Sequence, residues 1–396
     1  MSGALDLTEP AFVSDPYPVF ARLRKESPLL WHEPTGQWLT LTHAVTNAVL
    51  RDRRMGRLWH DKQPADRFEP FNRLHRNQMM ENEPPDHTRL RSLVAKAFAR
   101  GHIERLRPRV QQIADGLLDR VEAGSGFDGF DLIADYAEPL PVLVIAELLG
   151  VPESDHHMLR PWSGAIVKMY EYGRGPEVEP AAIDASRDFD AYMRDLARTR
   201  RAEPRDDLVS HLAAAEDGGN RLSADEVVAS AILLLNAGHE ASVNAFGNGM
   251  VALLHHPDQL ARLCDDESLG PAAIEEMIRY DAPLQLFERT AREEVELGGV
   301  RVPAGGKVAA LLGAANRDPA AFEDPDRLDI TRSPNPHIGF GAGVHHCLGA
   351  PLARMELQIS LPTLLRRVPE LRLAGDPVRR ETFVLRGYES VPVAGA

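Results

Sequence analysis

The chain has 396 residues, with 45 basic and 59 acidic side chains and a formal net charge of −14. Such an acidic balance disfavours nucleic acid and anionic membrane surfaces as partners. Two cysteines in unrelated contexts, Cys264 and Cys347, exclude a disulfide framework and point to a reducing, cytoplasmic setting. The opening MSGALDLTEPAFVSDP has neither an apolar core nor a basic flank, so neither a signal peptide nor an anchor is expected. No repeat and no low-complexity linker divides the sequence, which predicts a single domain over residues 1–396.

In chain order, residues 15–27 read as a first helix. Leu29–His32 and Gln37–Thr42 read as a hairpin turned at Pro34 and Gly36. Helical spacing resumes over His87–Ala99, Arg105–Ala123 and Pro139–Leu149. Ser223, with Glu226 three residues on, forms a capping box, and the apolar pattern then runs to His255 before Pro257. About thirty residues at 1.5 Å each make a helix of roughly 48 Å, long enough to cross the molecule. Pro271–Arg279 is a further helix. Val295–Leu297, Val300–Pro303 and Val308–Leu312 are short strands, and Leu352–Val368 is the last long helix. The fold class is mainly α with a minor β part.

Phe340–Gly349, FGAGVHHCLG, carries the strongest signal. Its glycines permit backbone angles closed to other residues and a close approach to a flat ligand. A cysteine just before a helix meets the positive end of the helix dipole, which favours the thiolate. Taken alone, a cysteine in a glycine-rich turn is most often an inert buried thiol. Zinc would need a second ligand group at defined spacing, and none accompanies His345 and His346. The glycines also miss the dinucleotide pattern G-x-G-x-x-G.

The segment resembles the cysteine-ligand loop of cytochromes P-450, F-G-x-G-x-H-x-C-x-G, at Phe340, Gly341, Gly343, His345, Cys347 and Gly349. Other segments resemble that family in its order: Glu276-Met277-Ile278-Arg279, His87-Thr88-Arg89-Leu90-Arg91, Arg289-Thr290-Ala291, Asn316-Arg317-Asp318-Pro319 and Pro325-Asp326-Arg327. The resemblance implies a cytochrome P-450 fold with haem b between the long central helix and the cysteine loop, and Cys347 as axial ligand to iron. A thiolate in that role pushes electron density onto iron and favours O–O cleavage. His87, Arg91, Arg289 and His345 are then expected at the haem propionates, whose charge needs cationic partners. Glu276 and Arg279, joined by Arg327, are expected to form a structural network behind the loop.

The same resemblance places Ala237–Ser242 of the long helix over the haem. Glycine inside a helix costs roughly 0.5–1 kcal/mol against alanine, so Gly238 asks for a reason. Either it leaves room for oxygen, or two helices cross closely there, or both. The family pattern [AG]-G-x-[DE]-T ends in a threonine that, with the acid before it, helps deliver protons to the dioxygen being reduced. This chain has Glu240, then Ala241, then Ser242 about 100° further round the helix. A substrate hydroxyl completing the path, a water between Glu240 and Ser242, and poor delivery with peroxide leak or use are three open readings. Asn236, Glu240, Asn244 and Asn248 recur every four residues as a polar stripe, expected to bond neighbouring helices or to carry water.

No flavin or nicotinamide pattern is present, so the resemblance implies electrons from a separate ferredoxin and ferredoxin reductase. Between Asp86 and Arg109 stand seven basic residues, Arg89, Arg91, Lys96, Arg100, Arg105, Arg107 and Arg109, against Asp86 and Glu104. That run reads either as a docking patch for an acidic partner or as a solvated helix face. The implied activity is insertion of one atom of O2 into a small apolar substrate. A peroxide-using protein or a non-catalytic haem sensor is the alternative. The implied pocket wall includes Trp59, Phe71, Leu234, Leu286, Phe287 and Phe383, with Phe68, Met79, Trp162 and Met169 near it. The missing threonine favours a hydroxyl-bearing natural product such as a polyketide. No membrane association is expected.

Overall fold

The computed structural model describes residues 5–97, 100–217 and 219–395. Helices dominate, with small sheets beside them. The chain divides into two units. One takes the residues through Gly56, Ala114–Ala137 and everything from Ala241 on; the other takes Arg57–Ile113 and Glu138–Glu240. Two of the four boundaries fall inside unbroken helices, Arg100–Ser125 and Ala224–Leu254.

The first unit holds a five-stranded sheet in the order Leu29–His32, Gln37–Thr40, Lys307–Leu311, Leu286–Ala291, Met55–Gly56. The hairpin pairs Leu29 with Thr40. Its second strand runs parallel to Lys307–Leu311, with Val308 opposite Trp38. Buried Val45, Val49, Leu50, Met55, Ala291, Val308 and Ala310 form the core behind this sheet, and Ile338 and Ala342 join them. The segment leading into Cys347 is thus anchored by apolar burial on both sides of Phe340. Helices Gly270–Tyr280 and Ala350–Arg367 pack on each other in the same unit.

The second unit is helical apart from a two-residue ribbon, Glu216–Asp217 with Asn220–Arg221. Its helix Val178–Ala202 buries Ala182, Ser186, Phe189, Met193 and Arg200 along one stripe. It packs against Ala65–Arg76, His156–Val167 and Leu208–Ala214.

Several expectations need correction. The helix read over residues 15–27 is present as Tyr17–Glu26, but a short helix that was not read, Pro10–Ser14, precedes it, the two separated because Asp15 precedes Pro16 and is extended at φ −146°. Leu286–Ala291 is a strand that no apolar alternation announced, since its buried positions include Arg289. Val178–Ala202 is a long helix where only a pocket wall was expected, although its 3.6-residue apolar spacing is legible. Ala99, the expected end of one helix, lies outside the described residues.

The capping box forms as read. The Glu226 N–H donates to Ser223 Oγ at 3.1 Å, and the Ser223 N–H donates to Glu226 Oε2 at 2.7 Å. The helix it starts covers 31 residues, Ala224–Leu254. Its close approaches lie near the C-terminal end. A Cβ on Gly249 would fall 2.2 Å from Met277, and one on Gly247 2.7 Å from Ile133.

Candidate functional site

The cysteine loop is built from two turns that only glycine makes easily. Gly341 and Gly343 both sit at φ +70°. A Cβ on Gly343 would lie 2.2 Å from the Leu50 carbonyl oxygen, which is backbone and cannot move aside. A Cβ on Gly341 would lie 3.2 Å from the Phe287 ring. Gly349 differs: its φ is −79°, and a Cβ there would meet only Cys347 Sγ at 3.9 Å. The loop closes when the Cys347 N–H donates to the Phe340 carbonyl at 2.9 Å. A 3-10 turn, Gly343–His345, lies inside it. The Cys347 side chain is exposed, three residues ahead of the helix Ala350–Arg367.

Arg289 is buried on the strand Leu286–Ala291, with its guanidinium 5.7 Å from the Phe287 ring. Phe287 is the ring under Gly341. One unit therefore brings together Phe340, Gly341, Gly343, His345, Cys347, Gly349, Phe287 and Arg289.

Behind the loop lies a charged network. Arg279 donates to both Glu276 oxygens, at 2.7 and 2.8 Å, and to the carbonyls of Asn316 and Pro325. Neither side chain of this pair is solvent-exposed. The second arginine is Arg332, whose Nε meets the two Glu276 oxygens at 3.2 and 3.1 Å. This corrects the expectation of Arg327. That guanidinium turns out to Asp329 with two-thirds of its side chain exposed, and only its carbonyl accepts from Arg279. The physical reason is the turn after Leu328: the Asp329 N–H donates to Glu276 Oε1, the Arg332 N–H donates back to the Asp329 carbonyl, and the Arg332 side chain is thereby largely buried. Asn316 Oδ1 accepts from the Ile338 N–H and ties the network to the loop.

In the other unit, His87 is buried at the start of the helix Asp86–Ala97, with half-buried Arg91 one turn on. Gly238 meets no crowding from the protein, because a Cβ there would touch only Ile145 at 3.8 Å. Close helix crossing therefore does not explain this glycine. The carboxylate of Glu240 is buried, with Oε1 3.9 Å from His239 Nδ1 and 4.0 Å from where a Cβ on Gly164 would stand. Within the polar stripe, Asn248 donates to the carbonyls of Asp281 and Arg386. Asn244 is buried against Gly387.

A family model described as Cytochrome P450 matches residues 268–371. The chain is 42% identical to "Cytochrome P450 107B1" of Saccharopolyspora erythraea, over 97% of this chain and 96% of the relative. It is 41% identical to the 6-deoxyerythronolide B hydroxylase of the same organism, over 99% of each. The chain belongs to the cytochrome P450 family. The solved structure of P450BioI in complex with a hexadec-9Z-enoic acid-ligated acyl carrier protein superposes with a TM-score of 0.92. Identity is 34%, over 98% of this chain and 99% of that one. P450 monooxygenases are haem-thiolate oxidoreductases that use haem b and incorporate an atom of O2, and this chain is one of them. That sets aside the reading as a non-catalytic sensor.

The residues present fit the P450 cofactor. The loop offers one exposed thiol ahead of a helix N-terminus. Its two left-handed glycines put no side chain on the turns around the thiol, and, in the other unit, Gly238 lacks a side chain that its own neighbours would have tolerated. Among the described residues no group of three or more His, Cys, Asp or Glu offers a separate metal site, and no helix is long and apolar enough to cross a membrane.

Three of the expected pocket residues pack against other aromatic side chains. Phe71 is 1% exposed and stacks on His75 at 4.0 Å; half-buried Trp59 stacks on the same imidazole at 4.5 Å. His75 Nδ1 lies 2.7 Å from the Phe71 carbonyl, which can only accept, so Nδ1 carries the proton and Nε2 accepts from Tyr170 Oη at 2.9 Å. Phe383 packs with Phe12 at 5.0 Å and Phe20 at 6.3 Å in an aromatic core. Aromatic residues bury large areas and fill cores as readily as they line pockets, and no spacing distinguishes the two uses. Leu234 and Leu286 are buried and Phe287 is half-buried.

The basic run is partly neutralised. Arg89 binds Glu226, Arg107 binds Glu104 and Arg109 binds Glu147. The side chain of Arg100 lies outside the described residues. Arg105 and Lys96 are exposed.

Proposed function

We propose that this P450 oxidises an apolar, hydroxyl-bearing natural product of the polyketide class, in the cytoplasm, with residues 1–396 acting as one catalytic domain. Haem b, when bound, would supply the activation of O2, one atom of which enters the substrate. Cys347 would hold its iron, with the sulfur presented by the loop that Phe340, Gly341, Gly343 and Gly349 build. His87, Arg91, Arg289 and His345 neutralise the propionates. Trp59, Leu234, Leu286 and Phe287 contribute apolar wall, and Gly238 keeps the face of the long helix low. Electrons come from a separate ferredoxin and its reductase, with exposed Arg105 and Lys96 among the cations that attract an acidic partner.

The observation that carries the substrate class is the hydroxyl missing from position 241. Glu240 and Ser242 flank Ala241, and the Glu240 carboxylate is turned toward Gly164. Ser242 Oγ makes no hydrogen bond among the described residues and is only half-buried, so it is available to hold a proton. A hydroxyl on the substrate would complete a path that the side chains leave one group short. The kinship supports a natural-product substrate, since one relative is named as a hydroxylase of 6-deoxyerythronolide B.

The test is coupling. Purified protein with a surrogate ferredoxin and reductase receives hydroxylated ligands and their deoxy analogues, and product is counted per NADH consumed. Tight coupling confined to the hydroxylated partner is the expected result. Equal coupling for both members of each pair would overturn the reading and leave Glu240, Ser242 and water as the path.

A further inference from the structure

The helix Gly270–Tyr280 carries two adjacent glutamates with different partners. Glu276 belongs to the buried network with Arg279 and Arg332. Glu275 faces the cysteine loop. Its carboxylate accepts from Arg354 Nε at 2.6 Å and from the terminal guanidinium nitrogen at 2.7 Å, and it meets His337 Nε2 at 2.9 Å. Both partners then reach Phe340. The Arg354 guanidinium lies 4.4 Å from the centre of the Phe340 ring, and the His337 ring lies 6.1 Å from it on a tilted plane. Phe340 is also the residue whose carbonyl accepts the Cys347 N–H.

We propose that Arg354, gripped by Glu275, is a positioning residue for Cys347: it clamps the Phe340 ring and holds a fixed positive charge beside the sulfur. The inference rests on the reading of Cys347 as the haem ligand. Glu275 is suited to the grip. Burial alone would push its carboxyl up, but the Arg354 and His337 bonds outweigh that and hold it down at about 2. Attraction to the Cys347 thiolate adds to the Arg354 proton affinity, behind the larger Glu275 hydrogen bond. A cation near the sulfur stabilises the reduced state of the site, which carries one more negative charge, more than the oxidised state. About a third of the Arg354 side chain is exposed, so solvent screens part of this effect. A purely structural pair would hold loop to helix without moving the reduction equilibrium.

The experiment uses haem-loaded protein and three variants, Arg354→Met, Arg354→Lys and Glu275→Gln. The readouts are the ferric/ferrous midpoint potential, the CO-difference spectrum and the thermal unfolding midpoint. Arg354→Met should shift the one-electron equilibrium toward the oxidised form by roughly tenfold, about 59 mV. Arg354→Lys keeps the charge and loses the planar stack, and Glu275→Gln loosens the grip, so both should shift it less and in the same direction. An unchanged potential in folded Arg354→Met, even with lower thermal stability, overturns the proposal. Should Arg354→Met fail to take up haem, unchanged potentials in the other two variants overturn it equally. Failure of the underlying reading is seen before any variant is made, as a parent CO-difference spectrum without the thiolate-ligated band.

Discussion

Arg332, not the nearer Arg327, is the second arginine on Glu276, with Nε 3.2 and 3.1 Å from its two carboxylate oxygens. Glu276 is wholly buried, so its charge depends on every partner it has. Arg332→Ala should therefore destabilise the protein by about 2–4 kcal/mol, somewhat below the 3–5 kcal/mol of a fully broken buried pair, because Arg279 remains. Arg327→Ala, removing an exposed pair with Asp329, should stay within about 0.5 kcal/mol. Urea unfolding of both variants decides it. Equal losses would mean that the network does not distinguish the two arginines.

The long helix carries glycines of two kinds. Gly249 abuts Met277, including its Cβ at 2.7 Å, so the methionine cannot simply swing its tip away. Gly249→Ala should cost about 1–3 kcal/mol through overpacking. Gly238→Ala meets only Ile145 at 3.8 Å and removes a helix-interior glycine. It should leave the haem-free chain unchanged or more stable by about 0.5–1 kcal/mol while impairing turnover. Thermal unfolding of the haem-free protein, set beside NADH-driven product formation, separates the two. A Gly238→Ala variant with full activity would remove the reason offered for that glycine.

Glu356, on the helix Ala350–Arg367, is buried, and burial pushes its carboxyl up from an ordinary 4.5 to about 8. Below about pH 4.5 the group is protonated whether the chain is folded or not, and it adds nothing to the pH dependence. Between about 4.5 and about 8 the unfolded chain ionises and the folded one does not, so stability falls as pH rises through that window. Glu356→Gln should remove this fall. It should be more stable than the parent at pH 8, by on the order of 2–4 kcal/mol at about 1.4 kcal/mol per pKa unit, and equal to it near pH 4. A parent whose stability is flat across that window, once Glu356→Gln is subtracted, would refute the assignment.

Ala241→Thr restores the hydroxyl at the position where the P450 pattern has one. If the substrate supplies the missing group, the variant should raise coupling with deoxy analogues by several-fold and change it little, or lower it by crowding, with hydroxylated substrates. Product per NADH consumed is the readout. Identical ratios for parent and variant across both ligand types would mean that position 241 lies off the proton path.

Much of this protein was legible before its structure. The loop Phe340–Gly349 announced itself because its chemistry is local: turns at +70° need glycine, and a thiol ahead of a helix start is a sequential arrangement. The capping box at Ser223 and Glu226 is local in the same way. The long helix and the pairing of Glu276 with Arg279 follow from helical spacing alone.

What the sequence could not decide depends on which segments meet. Arg332 is three residues past Asp329, and nothing in that stretch reveals that the chain reverses there and brings it onto Glu276. Phe71 and Phe383 read as pocket residues by type, and only the structure shows Phe71 stacked on His75 and Phe383 packed with Phe12 and Phe20. Glu275 reads as the neighbour of a network residue until Arg354, His337 and Phe340 arrive around it from 79, 62 and 65 positions away. Periodicity and local chemistry determined most of the helices and the turns of the cysteine loop, and the resemblance of that loop and its companion segments to cytochromes P-450 gave the family. The choice of arginine, the fate of the aromatics and the clamp on Phe340 were left to tertiary packing, because van der Waals contact and hydrogen bonding act between neighbours in space, whatever their separation along the chain.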